Sequence, residues 1–306
     1  MSKKLLYLLG IIGTILLGTY FYWKFCCNPC CEVGACKQKK KVENVSTIIP
    51  ATTFLPFQVK DVNGNLSLSV EDNFNFKQSG LNYLQPVSTN LDHEIEKLKE
   101  YLTSQEGKTL SVTGFYQSDE TNNSAFPNLG LARANSIKNY LKDKGISSKL
   151  IDTYSQLNDE MVADSLNVFH GPLSFEVLAS VDNSEKLKLT ANEIKENPVV
   201  LYFKTGQANI NLTPEQRSKI ADISMYLDKV EGAMCLVTGH TDKTGDATHN
   251  ILLGQNRADF AKQYLITNGI SGDKIIATSK GQTEPIADNG TEEGRAKNRR
   301  TVITIN

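Results

Sequence analysis

Hydrophobic positions recur along this chain in two rhythms, and the whole pattern comes twice. In the C-terminal part, Val199, Val200, Leu201, Tyr202 and Phe203 form an apolar run of strand length. Thr213-Pro214-Glu215-Gln216 then reads as a helix start, with Thr at the N-cap, Pro at the first position and Gln at the third. Ile220, Ile223 and Leu227 follow on one helical face, and Gly232 closes it. Met234 to Val237 predicts the next strand, with Cys235 as a buried strand residue. Asn250 to Asn268 predicts a second helix, with Ala258, Ala261 and Leu265 inward and Gly269 as its stop. Ile275 to Thr278 and Thr301 to Ile305 supply two more strands. The order β-α-β-α-β-β describes a mixed sheet backed by helices, an α+β fold.

The same signals occur about 125 residues earlier. Phe76-Lys77 corresponds to Phe203-Lys204, and Ile95, Leu98 and Leu102 to Ile220, Ile223 and Leu227. Val112-Thr113-Gly114 matches Val237-Thr238-Gly239, Arg133-Ala134 matches Arg257-Ala258, and Gly145-Ile146-Ser147 matches Gly269-Ile270-Ser271. The offset drifts by only a residue or two, and the period is too long for a solenoid. The reading is a duplicated domain, with copies at 55–180 and 185–306. Each copy has a leading segment. Phe57 to Val70 alternates around Asn63-Gly64 as a hairpin, and Leu187 to Ile194 holds the equivalent place in the second copy.

The first part of the chain follows neither rhythm. Leu5 to Trp23 is a run of 19 residues without a charge, close to the length that crosses an apolar core of about 30 Å. Tyr20, Phe21, Tyr22 and Trp23 end it with the aromatic residues of a lipid–headgroup boundary. Bulky aromatics stand where a signal peptide carries a small-residue cleavage site, so 5–23 is read as an uncleaved transmembrane anchor. Residues 24–54 form a juxtamembrane segment and linker containing Cys26, Cys27, Cys30, Cys31 and Cys36. These thiols are the only metal candidates, suited by spacing to zinc or an iron–sulfur cluster, or alternatively to disulfides. No His or second Cys cluster completes a metal pattern, so thiols or disulfides without catalysis are the simpler reading. The lysines flanking the span, Lys3 and Lys4 against Lys24, Lys37, Lys39, Lys40 and Lys41, would by themselves place the C-terminal part in the cytoplasm.

Composition narrows the function. Hydrophobic content of 40% and charged content of 22% fit globular protein, and a net charge of −1 argues against nucleic-acid binding. The basic run Arg295 to Arg300 does not change this, since residues 198–306 hold 13 Lys plus Arg against 12 Asp plus Glu. No Ser or Cys nucleophile sits in a triad setting, and no cofactor is expected. Asp242 falls just after a strand and Arg257 within the first two turns of the following helix, so a crossover can bring both to one mouth. Such a pair suits a ligand with an ammonium and a carboxylate on one carbon, because Arg grips a carboxylate through two parallel hydrogen bonds. The competing reading is a simple surface salt bridge between them.

At these residues the second copy resembles the peptidoglycan-binding OmpA-like family. The resemblance rests on Thr238-Gly239-His240-Thr241-Asp242, Thr244-Gly245, Asn250, Leu253-Gly254-Gln255-Asn256-Arg257-Ala258 and Gly294-Arg295-Ala296-Lys297-Asn298-Arg299-Arg300. It implies that Asp242 and Arg257 hold the free end of diaminopimelate in the peptidoglycan peptide stem. It further implies that Thr244, Asn250 and Arg299 line the pocket, that the protein is not an enzyme, and that the domains face the periplasm of a bacterial envelope. His240 is expected to orient the loop through a hydrogen bond rather than to catalyse. Lys204, Gly206 and Gln282 depart from the family pattern. The first copy departs further and reads as degenerate: Gln117 stands where the acid should be, although Arg133 survives, and no Asn-Arg-Arg run occurs near Leu173 to Leu178. That copy is expected to be a spacer or a site for a protein partner.

Three functions follow from these readings, beside an envelope enzyme using the Cys cluster, which metal analysis of the purified chain would separate from them. The first is a tether between membrane and cell wall. The second is an envelope scaffold or signalling protein acting through the first copy. The third is a motor or transport component, which the absence of an acid from Leu5 to Trp23 disfavours.

Overall fold

The computed structural model describes residues 12–22, 51–203 and 210–306. Residues 12–22 are helical and largely exposed. The remainder of the predicted span, the cysteines from Cys26 to Cys36, Lys204 and Gly206 lie outside the described residues. Among the described residues no helix is long and apolar enough to cross a membrane.

Alternation builds the first sheet. In β1 (Phe57–Asp61) the residues Phe57, Val59 and Asp61 are buried while Gln58 and Lys60 are exposed. The chain turns at Asn63-Gly64, where Asp61 Oδ1 accepts from the Asn63 N–H at 2.9 Å, and β2 (Ser67–Val70) returns antiparallel. After β3 (Asn75–Lys77), Ser88 caps α1 (Thr89–Ser104), which buries Leu91, Ile95, Leu98 and Leu102 on one face. Then come β4 (Lys108–Tyr116), α2 (Leu129–Asp143), β5 (Ile151–Leu157), β6 (Val168–His170) and β7 (Leu173–Ala179). The large sheet has the order β2-β1-β7-β4-β5, and β3 pairs with β6 in a separate ribbon.

The second sheet follows α3 (Ser184–Glu196). It contains β8 (Val199–Tyr202), β9 (Cys235–His240), β10 (Ile275–Gly281) and β11 (Arg300–Ile305), in the order β10-β9-β11-β8. The predicted capping box forms at the start of α4 (Pro214–Lys229), with Thr213 and Gln216 satisfying one another's backbone N–H groups. Helix α5 (Ala247–Thr267) begins three residues earlier than its apolar pattern indicates, because Asp246 caps it by accepting from the His249 N–H. A short α6 (Glu292–Asn298), capped by Thr291, carries much of the basic run.

The two halves share a core arrangement. β4 and β5 are parallel across α2, as β9 and β10 are across α5, and β7 and β11 run antiparallel to β4 and β9. The repeated glycines explain how helix and strand approach in each. A Cβ on Gly239 would lie 1.9 Å from the Gly254 carbonyl oxygen, and one on Gly114 would lie 2.0 Å from that of Gly130. Only glycine fits at either crossing.

The structure corrects the repeat at its leading edge. Leu187 to Ile194 is part of helix α3 and has no hairpin equivalent to β1–β2. The strand beside β7 is β1 and runs parallel to it, whereas β8 is antiparallel to β11. Phe76 therefore belongs to the small ribbon, while Phe203 directly follows an edge strand of the main sheet.

Each half has its own apolar cluster, and the two are joined in a single unit covering residues 50–306. Ala125 of the first half packs into the second cluster, and its N–H donates to Asn268 Oδ1 at 2.7 Å. Lys138, a residue only 2% exposed, donates from Nζ to Asp228 and to Asn135 Oδ1. Lys229 pairs with Asp152 at 2.8 Å, and Asn139 Nδ2 donates to the Gly269 carbonyl at 2.7 Å.

Candidate functional site

The site lies at the C-terminal end of β9, where the chain leaves the sheet before entering α5. A cleft there is lined by residues from the loop after β9, from α5 and from α6. Asp242, Thr244, Asn250, Arg257 and Arg299 all line it, so the five residues singled out in the sequence come together. Thr241, Leu253 and Glu292 complete much of the wall.

Asp242 is held in place by two different donors. Its Oδ1 accepts from the Thr244 N–H at 2.9 Å, and its Oδ2 accepts from Arg299 Nη1 at 2.9 Å. Burial works to raise its pKa, but the hydrogen bonds from Arg299 and Thr244 prevail and leave it below the ordinary carboxylate value. Asp242 is thus a nearly buried anion on the cleft wall. Arg299 is steadied on its other side by Glu292 Oε1, which accepts from Nη2 at 2.8 Å.

Arg257 reaches the cleft from α5. Its Nη1 donates to the His240 carbonyl at 3.1 Å, and its guanidinium lies over the Phe203 ring, 5.8 Å from the centroid. Burial and the charge of Arg299 weaken its hold on the proton, while Asp242 strengthens it. Asp242 and Arg257 form no contact ion pair, which corrects the simple salt-bridge reading: the partner of Asp242 is Arg299.

The supporting residues were less visible in the sequence. Asn250 Nδ2 donates to the Thr244 carbonyl at 3.1 Å and to Gln282 Oε1 at 2.7 Å, so Gln282 acts by fixing Asn250. Asn298 is fully buried; its Oδ1 accepts from the Ile286 and Ala287 N–H groups, and its Nδ2 donates to the Ala287 carbonyl. It thereby pins the loop ahead of α6. The loop-orienting hydrogen bond expected of the His240 side chain is not seen among the described residues; the backbone carbonyl of His240 instead accepts from Arg257 Nη1. The ring is buried, and its Nδ1 has no partner among the described residues. Burial, aided by the Arg300 charge, pushes its pKa down to about 4.

The corresponding place in the first half is closed. Arg133 Nη1 donates to the Phe115 carbonyl at 2.9 Å, and its guanidinium stands over Phe76 at 5.6 Å. The Phe76–Phe203 correspondence therefore holds at the arginine even though the strands differ. In this half the guanidinium meets a carboxylate of the same chain, Glu120. Gln117 Nε2 is turned to the carbonyl of Met161 at 2.6 Å. Glu120 carried no signal in the sequence, because the acid sits at a different loop position from Asp242.

Residues 202–299 match the OmpA family. The chain is 33% identical over 120 residues to the peptidoglycan-binding protein ArfA of Mycobacterium tuberculosis, covering 39% of this chain and 36% of that protein. It is 32% identical over 111 residues to the peptidoglycan-associated lipoprotein of Haemophilus influenzae, covering 36% of this chain and 71% of that protein. The crystal structure of the peptidoglycan-associated lipoprotein from Burkholderia pseudomallei is 26% identical, covering 35% of this chain and 89% of that one, with a TM-score of 0.30. The chain spans only about a third of the length of ArfA. Through this domain the chain belongs to the OmpA family, and the domain is non-catalytic.

Proposed function

We propose that residues 185–306 bind the peptide stem of peptidoglycan through the free end of diaminopimelate, and so tether a membrane to the cell wall. Asp242 takes the ligand ammonium and Arg257 its carboxylate, while Thr244, Asn250 and Arg299 shape the mouth. The observation that carries this reading is the state of Arg257. Its hydrogen bond among the described residues is the one to the His240 carbonyl, and it faces the cleft beside a buried anion. Arg133, held the same way in the first half, closes on a carboxylate. The names of the relatives, a peptidoglycan-binding protein and a peptidoglycan-associated lipoprotein, support the same ligand class.

The first half is a degenerate copy of the same domain. Its matched strand pairings and glycine crossing support the duplication. The domains face the periplasm, and the N-terminal apolar segment anchors them. A peptidoglycan site has no ligand in the cytoplasm, and lysine bias orients long translocated domains poorly. Calorimetric titration of the full chain with stem peptides tests the central claim. A peptide ending its side chain in diaminopimelate should bind, and one with lysine at that position should bind at least tenfold more weakly, because it lacks the carboxylate for Arg257. Equal affinity for the two peptides defeats the proposal.

A further inference from the structure

Four donors converge on the Glu120 carboxylate. The Ser79 N–H donates to Oε1 at 2.8 Å and the Gln117 N–H to Oε2 at 2.9 Å. Arg133 supplies the other two, Nη1 to Oε2 at 3.0 Å and Nη2 to Oε1. The Glu120 side chain is 1% exposed and that of Arg133 is fully buried. Arg133 is itself fixed from behind: Nε donates to the Gly80 carbonyl at 3.0 Å, Nη1 also meets the Phe115 carbonyl, and the guanidinium lies between the Phe76 and Phe169 rings.

We infer that the first half carries a carboxylate-binding site of its own, built around Arg133, and that Glu120 is its tethered resident ligand. The two-pronged arginine and two backbone N–H groups make a receptor for one planar carboxylate. None of these four donors belongs to Glu120, so the receptor does not depend on the glutamate for its donors. The comparison within the chain separates this reading from an ordinary buried ion pair. Arg257 has the same carbonyl anchor and the same phenylalanine beneath it, yet it lines an open cleft. The difference is that a loop of the first half reaches back with an acid.

Tethering makes the occupant hard to displace. A side chain held on a short loop acts at an effective concentration of at least the millimolar order. An external carboxylate must outcompete it, and expelling Glu120 leaves an acid without its four donors. The ammonium side is closed as well, since the Gln117 amide is committed to the Asp159 and Met161 carbonyls. The first half is therefore shut to zwitterionic stem ends by its own chain, and a partner of this half must use another surface.

Chemical rescue tests the inference in the full chain. Glu120→Ala removes a two-carbon fragment ending in the carboxylate, which acetate restores. The experiment is done in an Arg257→Ala background, so that acetate at the proposed ligand site does not contribute and the outcome is independent of that site. At about 100 mM, acetate should raise the melting temperature of Glu120→Ala/Arg257→Ala by about 2 °C or more over chloride at equal ionic strength. Arg257→Ala alone should show no such difference, because its site is filled. Adding Arg133→Met should abolish the response. If Glu120→Ala does not fold in chloride, recovery of folded protein on refolding in acetate is read instead. Equal behaviour in acetate and chloride, or an acetate effect that survives Arg133→Met, overturns the inference.

Discussion

Arg299 donates from Nη1 to Asp242 Oδ2 at 2.9 Å, so the carboxylate proposed to receive a ligand ammonium has a counter-ion in the free protein. Arg299 also donates from Nη2 to Glu292 Oε1 at 2.8 Å, an exposed contact on the side of the guanidinium away from Asp242. Asp242→Ala and Arg257→Ala should each weaken binding of a diaminopimelate peptide by about 30-fold or more, corresponding to a cost of about 2–5 kcal/mol for losing one partner of a buried charge pair. Arg257→Lys should recover only part of the loss, since it keeps the charge without the two-pronged geometry. Titration calorimetry beside a thermal melt checks this. Parent-like affinity in both alanine variants would remove the pocket assignment while leaving the fold untouched.

Glu292 serves as a contrast. Its side chain is 63% exposed, so its bonds to Arg295 and Arg299 contribute little to stability. Glu292→Ala should change the melting temperature by no more than a degree or two and leave stem-peptide affinity within about threefold of the parent. A loss as large as that of Asp242→Ala would mean that Arg299 depends on Glu292 to stay in register.

The junction between halves rests on a buried charge. Burial lowers the Lys138 pKa and Asp228 opposes that effect, so the ammonium depends on its partner across the junction. Asp228→Ala strands it and should destabilise the protein by about 3–5 kcal/mol. The double variant Lys138→Met/Asp228→Leu should regain most of this, because it removes both charges at once. Denaturant unfolding of the three proteins measures the difference. A small effect of Asp228→Ala would show that water already reaches Lys138.

The glycine crossings can be tested against a glycine of another kind. In Gly239→Ala the new methyl meets a backbone oxygen that no rotamer change can move aside, so the cost should reach or exceed about 3 kcal/mol. Gly232 has φ of 70° and a Cβ there would meet nothing within 4 Å, so Gly232→Ala carries only backbone strain of about 1–2 kcal/mol. Chemical denaturation of both variants should rank them in that order. The reverse ranking would show that β9 and α5 separate more easily than their contact implies.

Much of this architecture is legible in the local sequence. The capping box at Thr213, the stop at Gly269 and the strand of Cys235 depend on neighbours within a few residues, and local pattern reports local causes. That Asp242, Thr244, Asn250, Arg257 and Arg299 line one cleft is foreshadowed by the dense motif that contains them. What stayed hidden depends on distance along the chain. Glu120 meets Arg133 across a loop whose course no spacing rule determines, and Arg299 reaches Asp242 from 57 residues away. The β1–β7 pairing is hidden for the same reason: Val59 finds Phe175 only once the sheet has assembled.

His240 gives the domain a pH dependence of determinate sign. Its ring is buried, and burial with the Arg300 charge brings its pKa down to about 4 from the ordinary 6.5. In the unfolded chain the imidazole takes a proton near pH 6.5, whereas in the folded domain it stays neutral to about pH 4. Between those values the unfolded state binds more protons, so stability falls as the solution is acidified through that window and levels off below it. The full loss across that window is on the order of 3 kcal/mol, since a tenfold change in proton affinity is worth about 1.4 kcal/mol. Asp242 acts in the same direction at lower pH: its pKa is depressed, so its contribution is lost as pH drops below the ordinary carboxylate value. His240→Phe keeps the apolar contact area and removes the titrating group, and should flatten the curve between about pH 6.5 and 4 while leaving the acid limb below it. Urea unfolding at half-unit pH steps resolves the two limbs. An unchanged slope in His240→Phe would show that the upper limb belongs to another group.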